Sequence, residues 1–166
     1  AETYELPAMR HRSEHAELIT PSHMARAARL GVILCMPPGV AGLWGYPGGM
    51  AQQRLGDHYG TTNRLRRIID SGVTVCAGAD PPLTHINPLL GIYYAVNHPV
   101  PANSATLQEA LEMYTVNGAY ALFLEKQKGS LREGMDADIV ILDRDITQTD
   151  PQQLKEVKVD MTIKDG

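Results

Sequence analysis

Short apolar runs alternate with helical segments through the first 80 residues, and this alternation limits the fold more than any other feature. Strands are predicted at 9–16, 32–36 and 73–77, and helices at 21–30 and 62–71. Each strand-to-strand connection is long enough for a helical crossover, the connection that parallel strands require. The pattern therefore predicts a βαβαβ unit with a parallel sheet, and places the chain in the α/β class.

The first predicted helix has clear end signals. Thr20 is a good N-cap residue, Pro21 suits the first helical position, and Gly31 follows the last turn. Before it, His11, Ser13 and His15 alternate with charged residues, so in a strand they would share one face. These signals place His15 at the end of the first strand.

The third strand ends in front of an aspartate. Residues 72–82 read GVTVCAGADPP, in which a turn glycine precedes a buried apolar run and Asp80 precedes two prolines. Functional side chains collect at the carboxyl ends of parallel strands. Asp80 is therefore a candidate to bind a metal or transfer a proton. The structural alternative is an Asx-Pro turn, and the stretch by itself leaves both open.

Glycine and proline dominate residues 37–60, which predicts a long loop. A loop of that length in a compact domain is usually functional or disordered. Trp44, the sole tryptophan, lies in it. This residue either lines a substrate pocket or packs as a plug that holds the loop down.

The second half of the chain predicts one long helix and a small β region. Thr106 and Glu109 form a capping-box sequence that opens a helix through about 124. Residues 137–142 and 157–163 have strand-like patterns. The change in texture near 126–129 predicts one domain over 1–127 and a second over 128–166.

Composition excludes several classes of protein. The net charge of −4 and the pI near 5.8 show no basic surface for nucleic acid. No apolar run approaches the roughly 20 residues that span a bilayer, so no membrane partner is expected. Cys35 and Cys76 lie in apolar runs and are interpreted as reduced, buried thiols of a cytoplasmic protein.

Four segments, in this order and spacing, resemble the C-terminal part of the amidohydrolase superfamily, most closely its amidohydrolase 3 type. They cover nearly the whole chain and read RHRSEHAELITPSHMARAARLGV, IIDSGVTVCAGADPP, LQEALEMYTVNGAYAL and KGSLREGMDADIVILDRD. The resemblance implies the C-terminal portion of a metal-dependent hydrolase (β/α)8 TIM barrel, with strands six to eight, and part of a small β-sandwich domain.

The resemblance also implies a chemistry. His15, at the end of barrel strand six, would ligate a divalent metal, expected to be zinc with one or two ions in the complete enzyme. Asp80, after strand eight, would ligate metal and act as general base. The implied reaction is hydrolysis of a C–N bond in a small amide-like molecule by metal-activated water.

One departure from the family pattern is an absence. The superfamily also uses an H-x-H pair, a bridging ligand and a further histidine, and no H-x-H occurs in these 166 residues. Catalytic zinc typically has three protein ligands. The chain is therefore interpreted as an incomplete and inactive part of the enzyme.

Other histidines are secondary candidates. His85, five residues after Asp80, is a candidate for substrate binding together with Trp44. His11 and His15 are spaced for a joint site on a helix, but the segment favours a strand. His58 and His23 are interpreted as surface residues.

A rival hypothesis is a stand-alone domain that has lost catalysis and serves in binding or assembly. An open three-stranded parallel sheet exposes its edges, which a second copy of the chain would cover. A homo-oligomer is expected under either hypothesis.

Overall fold

The structure, a computed structural model, describes residues 9–166. Three strands form a parallel sheet in the order β1 (Arg12–Glu14), β2 (Ile33–Met36) and β3 (Val75–Ala77). In the register Glu14 lies opposite Cys35 and Cys35 lies opposite Cys76. The predicted βαβαβ unit is confirmed, with strands shorter than the sequence pattern suggested.

Helices connect and cover these strands. Helices α1 (Pro21–Leu30) and α4 (Leu65–Asp70) lie between strands, where helices were predicted. Helix α5 (Pro88–Val96) was not predicted, although Asn87 and Pro88 are standard start signals. The helices are α1 (Pro21–Leu30), α2 (Pro38–Trp44), α3 (Met50–Leu55), α4 (Leu65–Asp70), α5 (Pro88–Val96), α6 (Leu107–Tyr114) and α7 (Val116–Ala121), with 3₁₀ turns at Gly56–Thr61, Pro101–Asn103 and Pro151–Glu156.

The predicted end signals of α1 are present. Thr20 Oγ1 accepts a hydrogen bond from the backbone N–H of His23 at 3.3 Å, and Pro21 begins the helix. Gly31 has φ of 65° and its N–H donates to the Ala28 carbonyl at 3.2 Å. Because a left-handed residue is needed here, glycine is the residue that ends the helix without strain.

The prediction of a long loop over 37–60 is wrong. This segment forms α2, α3 and a 3₁₀ turn. Its glycines serve packing and helix ends: a Cβ on Gly42 would lie 2.2 Å from the Tyr94 ring, and Gly56 after α3 has φ of 55°. Composition alone therefore misidentified close helix packing as loop.

The prediction of one helix through about 124 is also wrong. The capping box at Thr106 and Glu109 is present, but the chain breaks at Thr115, with φ of −123° and ψ of −93°. The Thr115 hydroxyl donates to the Leu111 carbonyl at 2.7 Å, a side-chain bond that competes with the helix. Asn117, in α7, donates to the Val75 carbonyl at 2.9 Å and ties α7 to β3.

The main core lies on the helix side of the sheet. Leu34, Met36 and Val75 point into it and are at most 3% exposed, and helices α1, α4, α5 and α6 supply its other side chains. The opposite face is smaller, with Ile33 and Cys76 packed against Ala121. Both faces are therefore covered along β2 and β3, as is usual for parallel strands, whereas all three residues of β1 are exposed.

Arg10 anchors the start of the first strand. Its guanidinium makes a bidentate ion pair with Glu125, at 2.6 and 2.8 Å, and stacks over the rings of Tyr120 and Phe123, at 3.8 and 4.4 Å from their centres. The contact joins the segment before β1 to the segment after α7. The neighbouring Arg12 pairs instead with Glu14, at 2.9 Å.

The C-terminal region forms an antiparallel pair, β4 (Ile139–Leu142) with β5 (Val159–Ile163). Both predicted strands are confirmed. Lys128, at the predicted boundary, contacts Asp136 and Asp138 at 2.7 Å each. The division into 1–127 and 128–166 stays a prediction. Within residues 9–166, every helix is too short or too polar to cross a lipid bilayer.

The capping box of α6 predicts a measurable effect of pH on stability. Glu109 accepts two hydrogen bonds from Arg66, both 2.7 Å, and these lower the pKa of Glu109 to about 2. A lowered folded-state pKa means that the contribution to the free energy of unfolding is complete above about pH 4.5 and is lost as the pH falls toward 2. Because the pair is partly exposed, we expect about 1 kcal/mol rather than the full value of the shift.

Glu109→Gln should remove this part of the pH dependence, measured by urea unfolding between pH 5 and pH 2.5. Glutamine preserves the capping box, so the helix start is retained. Arg66→Gln should reduce the change in the free energy of unfolding over the same pH interval. The double variant should reduce this change no further than either single variant. An unchanged slope in Glu109→Gln would contradict the assignment.

Candidate active site

The carboxyl ends of the first and third strands bring an imidazole and a carboxylate together. His15 follows β1 directly and Asp80 follows β3 by three residues, with the two strands on either side of β2. His15 Nε2 lies 3.4 Å from Asp80 Oδ2, and the side chains are 44% and 39% exposed. The parallel order of the strands therefore places these two side chains at one rim of the sheet.

Backbone hydrogen bonds to β2 fix both strand ends. The N–H of His15 donates to the Cys35 carbonyl at 2.9 Å, and the N–H of Gly78 donates to the Met36 carbonyl at 3.1 Å. Beyond Asp80 a turn closes, because the Leu83 N–H donates to the Asp80 carbonyl at 3.0 Å. The expected turn and the candidate functional role are thus compatible at Asp80.

Both candidate residues have left-handed backbone conformations. His15 has φ of 67° and Asp80 has φ of 54°. Such conformations are uncommon for residues other than glycine and cost free energy, and they concentrate at functional sites. Ala16, Phe123 and three other described non-glycine residues share this conformation, so it does not by itself distinguish a functional rim from a structural turn.

Glu17 is a third polar neighbour that the sequence reasoning missed. Its Oε1 lies 3.4 Å from His15 Nδ1, so each ring nitrogen of His15 faces a carboxylate. The Glu17 carbonyl also accepts from the Asn63 N–H at 2.9 Å, which joins this rim to the segment before α4. A carboxylate two residues after a candidate ligand is a signal that could have been noticed.

A small cup of about 130 Å³ lies below the pair, lined by Glu14, His15, Cys35, Met36, Pro37, Gly78 and Asp80. Cys35 and Cys76 are both free thiols; Cys76 is buried and Cys35 is partly so. A hydrogen bond with Cys76, together with burial, raises the pKa of the Cys35 thiol. The prediction of unpaired thiols in apolar surroundings is confirmed, and one of them lines the candidate site.

A larger cavity of about 460 Å³ opens on the other side of His15. Trp44 lines it, so the pocket alternative describes this tryptophan better than the plug. The lining residues are His15, Glu17, Leu18, Val40, Trp44, Gly45, Met50, Ala51, Arg54, Leu55, Thr62 and Asn63. A role of Trp44 in substrate binding stays a prediction.

The other predicted histidines do not join the pair. His85 is exposed and lines neither of the two cavities that contain His15, and its suggested role stays a prediction. His23 and His58 are exposed, as expected of surface residues. His11 is exposed at the start of β1, where its carbonyl pairs with Ile33, so a joint helical site with His15 does not form.

His98 is the one buried histidine of the described chain, at 6% exposure, and it was not a sequence candidate. The Val100 N–H donates to His98 Nδ1 at 3.0 Å, and burial lowers the pKa of this histidine. The ring closes the loop after α5. It lines a narrow gap with Met36, Pro37 and Asn63, and it is absent from the linings of both cavities that contain His15.

The donor set fits part of a metal site. Imidazole nitrogen and carboxylate oxygen are the ligands that zinc takes in hydrolytic centres. Among residues 9–166, no cluster of three or more His, Cys, Asp or Glu side chains is arranged to hold a metal ion. His15 and Asp80 are thus two donors of the types that zinc binds, one fewer than the three protein ligands of a typical catalytic zinc site.

Comparisons with known proteins identify the family of the chain. The family model described as the amidohydrolase family matches residues 3–166. An N-substituted formamide deformylase of Arthrobacter pascens is 32% identical over 93% of this chain, which spans 30% of that relative's length.

Solved structures show the same fold. A metal-dependent hydrolase of Pyrococcus furiosus has a TM-score of 0.69 and 27% identity, covering 85% of this chain and 28% of its own. A Xanthomonas campestris adenosine deaminase with bound zinc has a TM-score of 0.69 at 18% identity, covering 93% of this chain and 36% of its own. The three βα units thus have the fold of part of an amidohydrolase TIM barrel. Since the family model covers residues 3–166, the chain belongs to the amidohydrolase family.

Proposed function

We propose that the protein forms part of a metal-dependent hydrolase that cleaves a C–N bond of a small amide-like substrate with an activated water molecule. The observation that carries the proposal is the 3.4 Å approach of His15 Nε2 to Asp80 Oδ2 at the carboxyl end of the sheet. The family match and the C–N-cleaving relative support it.

Each side chain has a proposed task. A divalent metal, when bound, lowers the pKa of a water ligand from 15.7 toward about 7. His15 would be a neutral imidazole ligand, and Glu17 beside Nδ1 would fix its tautomer and orientation. Asp80 would ligate the metal, accept the proton of the attacking water and pass it to the leaving nitrogen.

The proposed metal is zinc, with one or two ions in the complete enzyme, because the donor set is nitrogen and oxygen. Since residues 9–166 offer only two of the ligands, we propose that the others come from polypeptide outside these 166 residues. The chain alone would then be inactive. A cytoplasmic location, with residues 1–127 as barrel and 128–166 as β-sandwich, completes the proposal.

Metal content tests this proposal directly. We expect the 166-residue chain to hold well below one equivalent of zinc after dialysis, and the gene product that includes the missing ligands to hold one or two. His15→Ala in the longer protein should lower the zinc content, whereas His58→Ala, an exposed matched control, should not. Full hydrolysis by the longer protein after zinc removal would overturn the metal-dependent mechanism.

The alternative is a non-catalytic assembly domain, and the two edges of the sheet left unpaired within residues 9–166 support it. Strands β1 and β3 each pair with β2 alone among the described strands, and all three residues of β1 are exposed. Under this alternative the chain forms a stable homo-oligomer. Sedimentation tests the assembly itself, because a compact monomer of the 166-residue chain would contradict pairing through these edges. A homo-oligomer is expected for the hydrolase too, so the zinc content described above separates the two functions.

A further inference from the structure

We propose that the cavity on the Trp44 side of His15 binds the apolar substituent of the amide substrate. This cavity, the Trp44 pocket, has a volume of about 460 Å³ and is lined by α2, α3 and the segments after β1 and before α4. The assignment deepens the proposed hydrolase function and rests on it for the word substrate. Binding of an apolar group by the pocket can be tested without that function.

The chemistry of the walls selects the ligand class. Val40, Trp44, Met50 and Leu55 form an apolar side that comes from two consecutive helices. Polar side chains complete the lining: Arg54 is also on α3, and His15, Glu17, Thr62 and Asn63 lie on the adjoining segments. A volume of about 460 Å³ falls within the range of small-molecule sites, about 300 to 1,000 Å³. The pocket therefore suits an aromatic or branched alkyl group with a polar group attached.

His15 belongs to both cavities. It lines the Trp44 pocket and also the cup that contains Asp80, whereas Asp80 lines the cup alone. A molecule with its carbonyl at the His15–Asp80 pair would thus direct its substituent, across His15, toward Trp44. Because His15 lines both cavities, the substituent that fits the Trp44 pocket would determine which amides reach the His15–Asp80 pair.

Local hydrogen bonds hold the pocket in place. The N–H of Gly48 donates to Gln52 Oε1 at 2.6 Å, and Gln53 Nε2 donates to the Gly48 carbonyl at 2.9 Å, so α3 is tied to the turn before it. Helix α2 packs closely on α5, where the ring of Tyr94 leaves no room for a Cβ on Gly42. The walls are therefore pre-formed, which reduces the conformational cost of binding.

Trp44 fluorescence provides the test, because Trp44 is the sole tryptophan of the 166 residues. The metal-free chain, in EDTA, is titrated with N-benzylformamide and with N-methylformamide. We expect a saturable change in Trp44 emission with the benzyl compound, and binding of the methyl compound weaker by about tenfold or more. Equal responses to both compounds, or a non-saturable response, would overturn the proposal.

Two variants locate the binding. Ala51→Phe, on α3, should fill the pocket and weaken binding by about tenfold or more, since overpacked sites lose ligand volume. Ala25→Phe, at an exposed position of α1, is the matched control and should bind as the unmodified chain does. Should Ala51→Phe fail to fold by circular dichroism, Met50→Gln at a 43% exposed position replaces it, with about threefold weaker binding expected.

Failure of this proposal and failure of the hydrolase are distinguishable. Activity of the longer protein without zinc would refute the proposed metal-dependent hydrolase, and binding of N-benzylformamide by the Trp44 pocket would be unaffected. Unchanged binding in a folded Ala51→Phe variant would refute the assignment of the Trp44 pocket as the binding site. It would not affect the conclusions drawn from the zinc content.

Discussion

Replacing Asp80 by asparagine should lower kcat/KM of the proposed complete hydrolase by roughly 10²- to 10⁴-fold, the range for loss of a general acid–base group. Asparagine has nearly the same shape, so the turn after β3, in which the Asp80 carbonyl accepts from Leu83, should persist. The amide cannot take a proton from water, and it is a poorer ligand for a divalent metal. The loss should therefore appear in kcat as well as in zinc content.

Asp160→Asn is the matched control, because Asp160 is an exposed aspartate on β5. It should leave kcat/KM unchanged. An excess of zinc separates the two proposed tasks of Asp80. If the zinc content of Asp80→Asn recovers while its kcat stays low, Asp80 acts in proton transfer as well as in metal binding. Activity of Asp80→Asn within a few-fold of the unmodified enzyme would contradict both tasks.

Gly42→Ala should destabilise the protein by about 1–3 kcal/mol, the usual cost of overpacking. A Cβ at this position would lie 2.2 Å from Tyr94 Cδ1 and 2.4 Å from its Cγ, so the whole ring of Tyr94 would have to move. Alanine is the better helix former by about 1 kcal/mol, and this gain is too small to offset the clash. Urea unfolding measures the difference as a lower midpoint.

Gly118→Ala is the matched control within a helix. A Cβ on Gly118 would meet only the Met113 carbonyl oxygen, at 3.8 Å, an ordinary contact. We expect this variant to be neutral or more stable by up to about 1 kcal/mol, from helix propensity alone. Adding Tyr94→Leu to Gly42→Ala should recover part of the loss. Equal effects of the two alanine substitutions would refute the packing role of Gly42.

Several features follow from local sequence. The α1 start at Thr20 and Pro21, its end at Gly31 and the capping box of α6 depend on residues within a few positions of each other. The alternation of strands and helices predicts parallel pairing, because only a crossover connection fits. For the same reason Asp80, after the third strand, could be named as a candidate from the sequence alone, whereas the resemblance to the amidohydrolase superfamily named His15.

Other features depend on contacts between distant residues. The glycines of 37–60 are compatible with loop or with close helix packing, and the ring of Tyr94 decides between them at Gly42. The break at Thr115 likewise depends on side-chain bonding and on the tie from Asn117 to β3. No local pattern contains this information.

The sequence by itself determined the βαβαβ order of the first 80 residues, the two ends of α1, the capping box of α6 and the place of Asp80 after the third strand, because local sterics, local hydrogen bonding and the need for a crossover connection control these features. Only the tertiary structure decided that His15 and Asp80 approach to 3.4 Å, that Glu17 faces the same imidazole, and that α2 and α3 enclose the Trp44 pocket. These distances result from packing across the sheet, where residues far apart in the chain become neighbours.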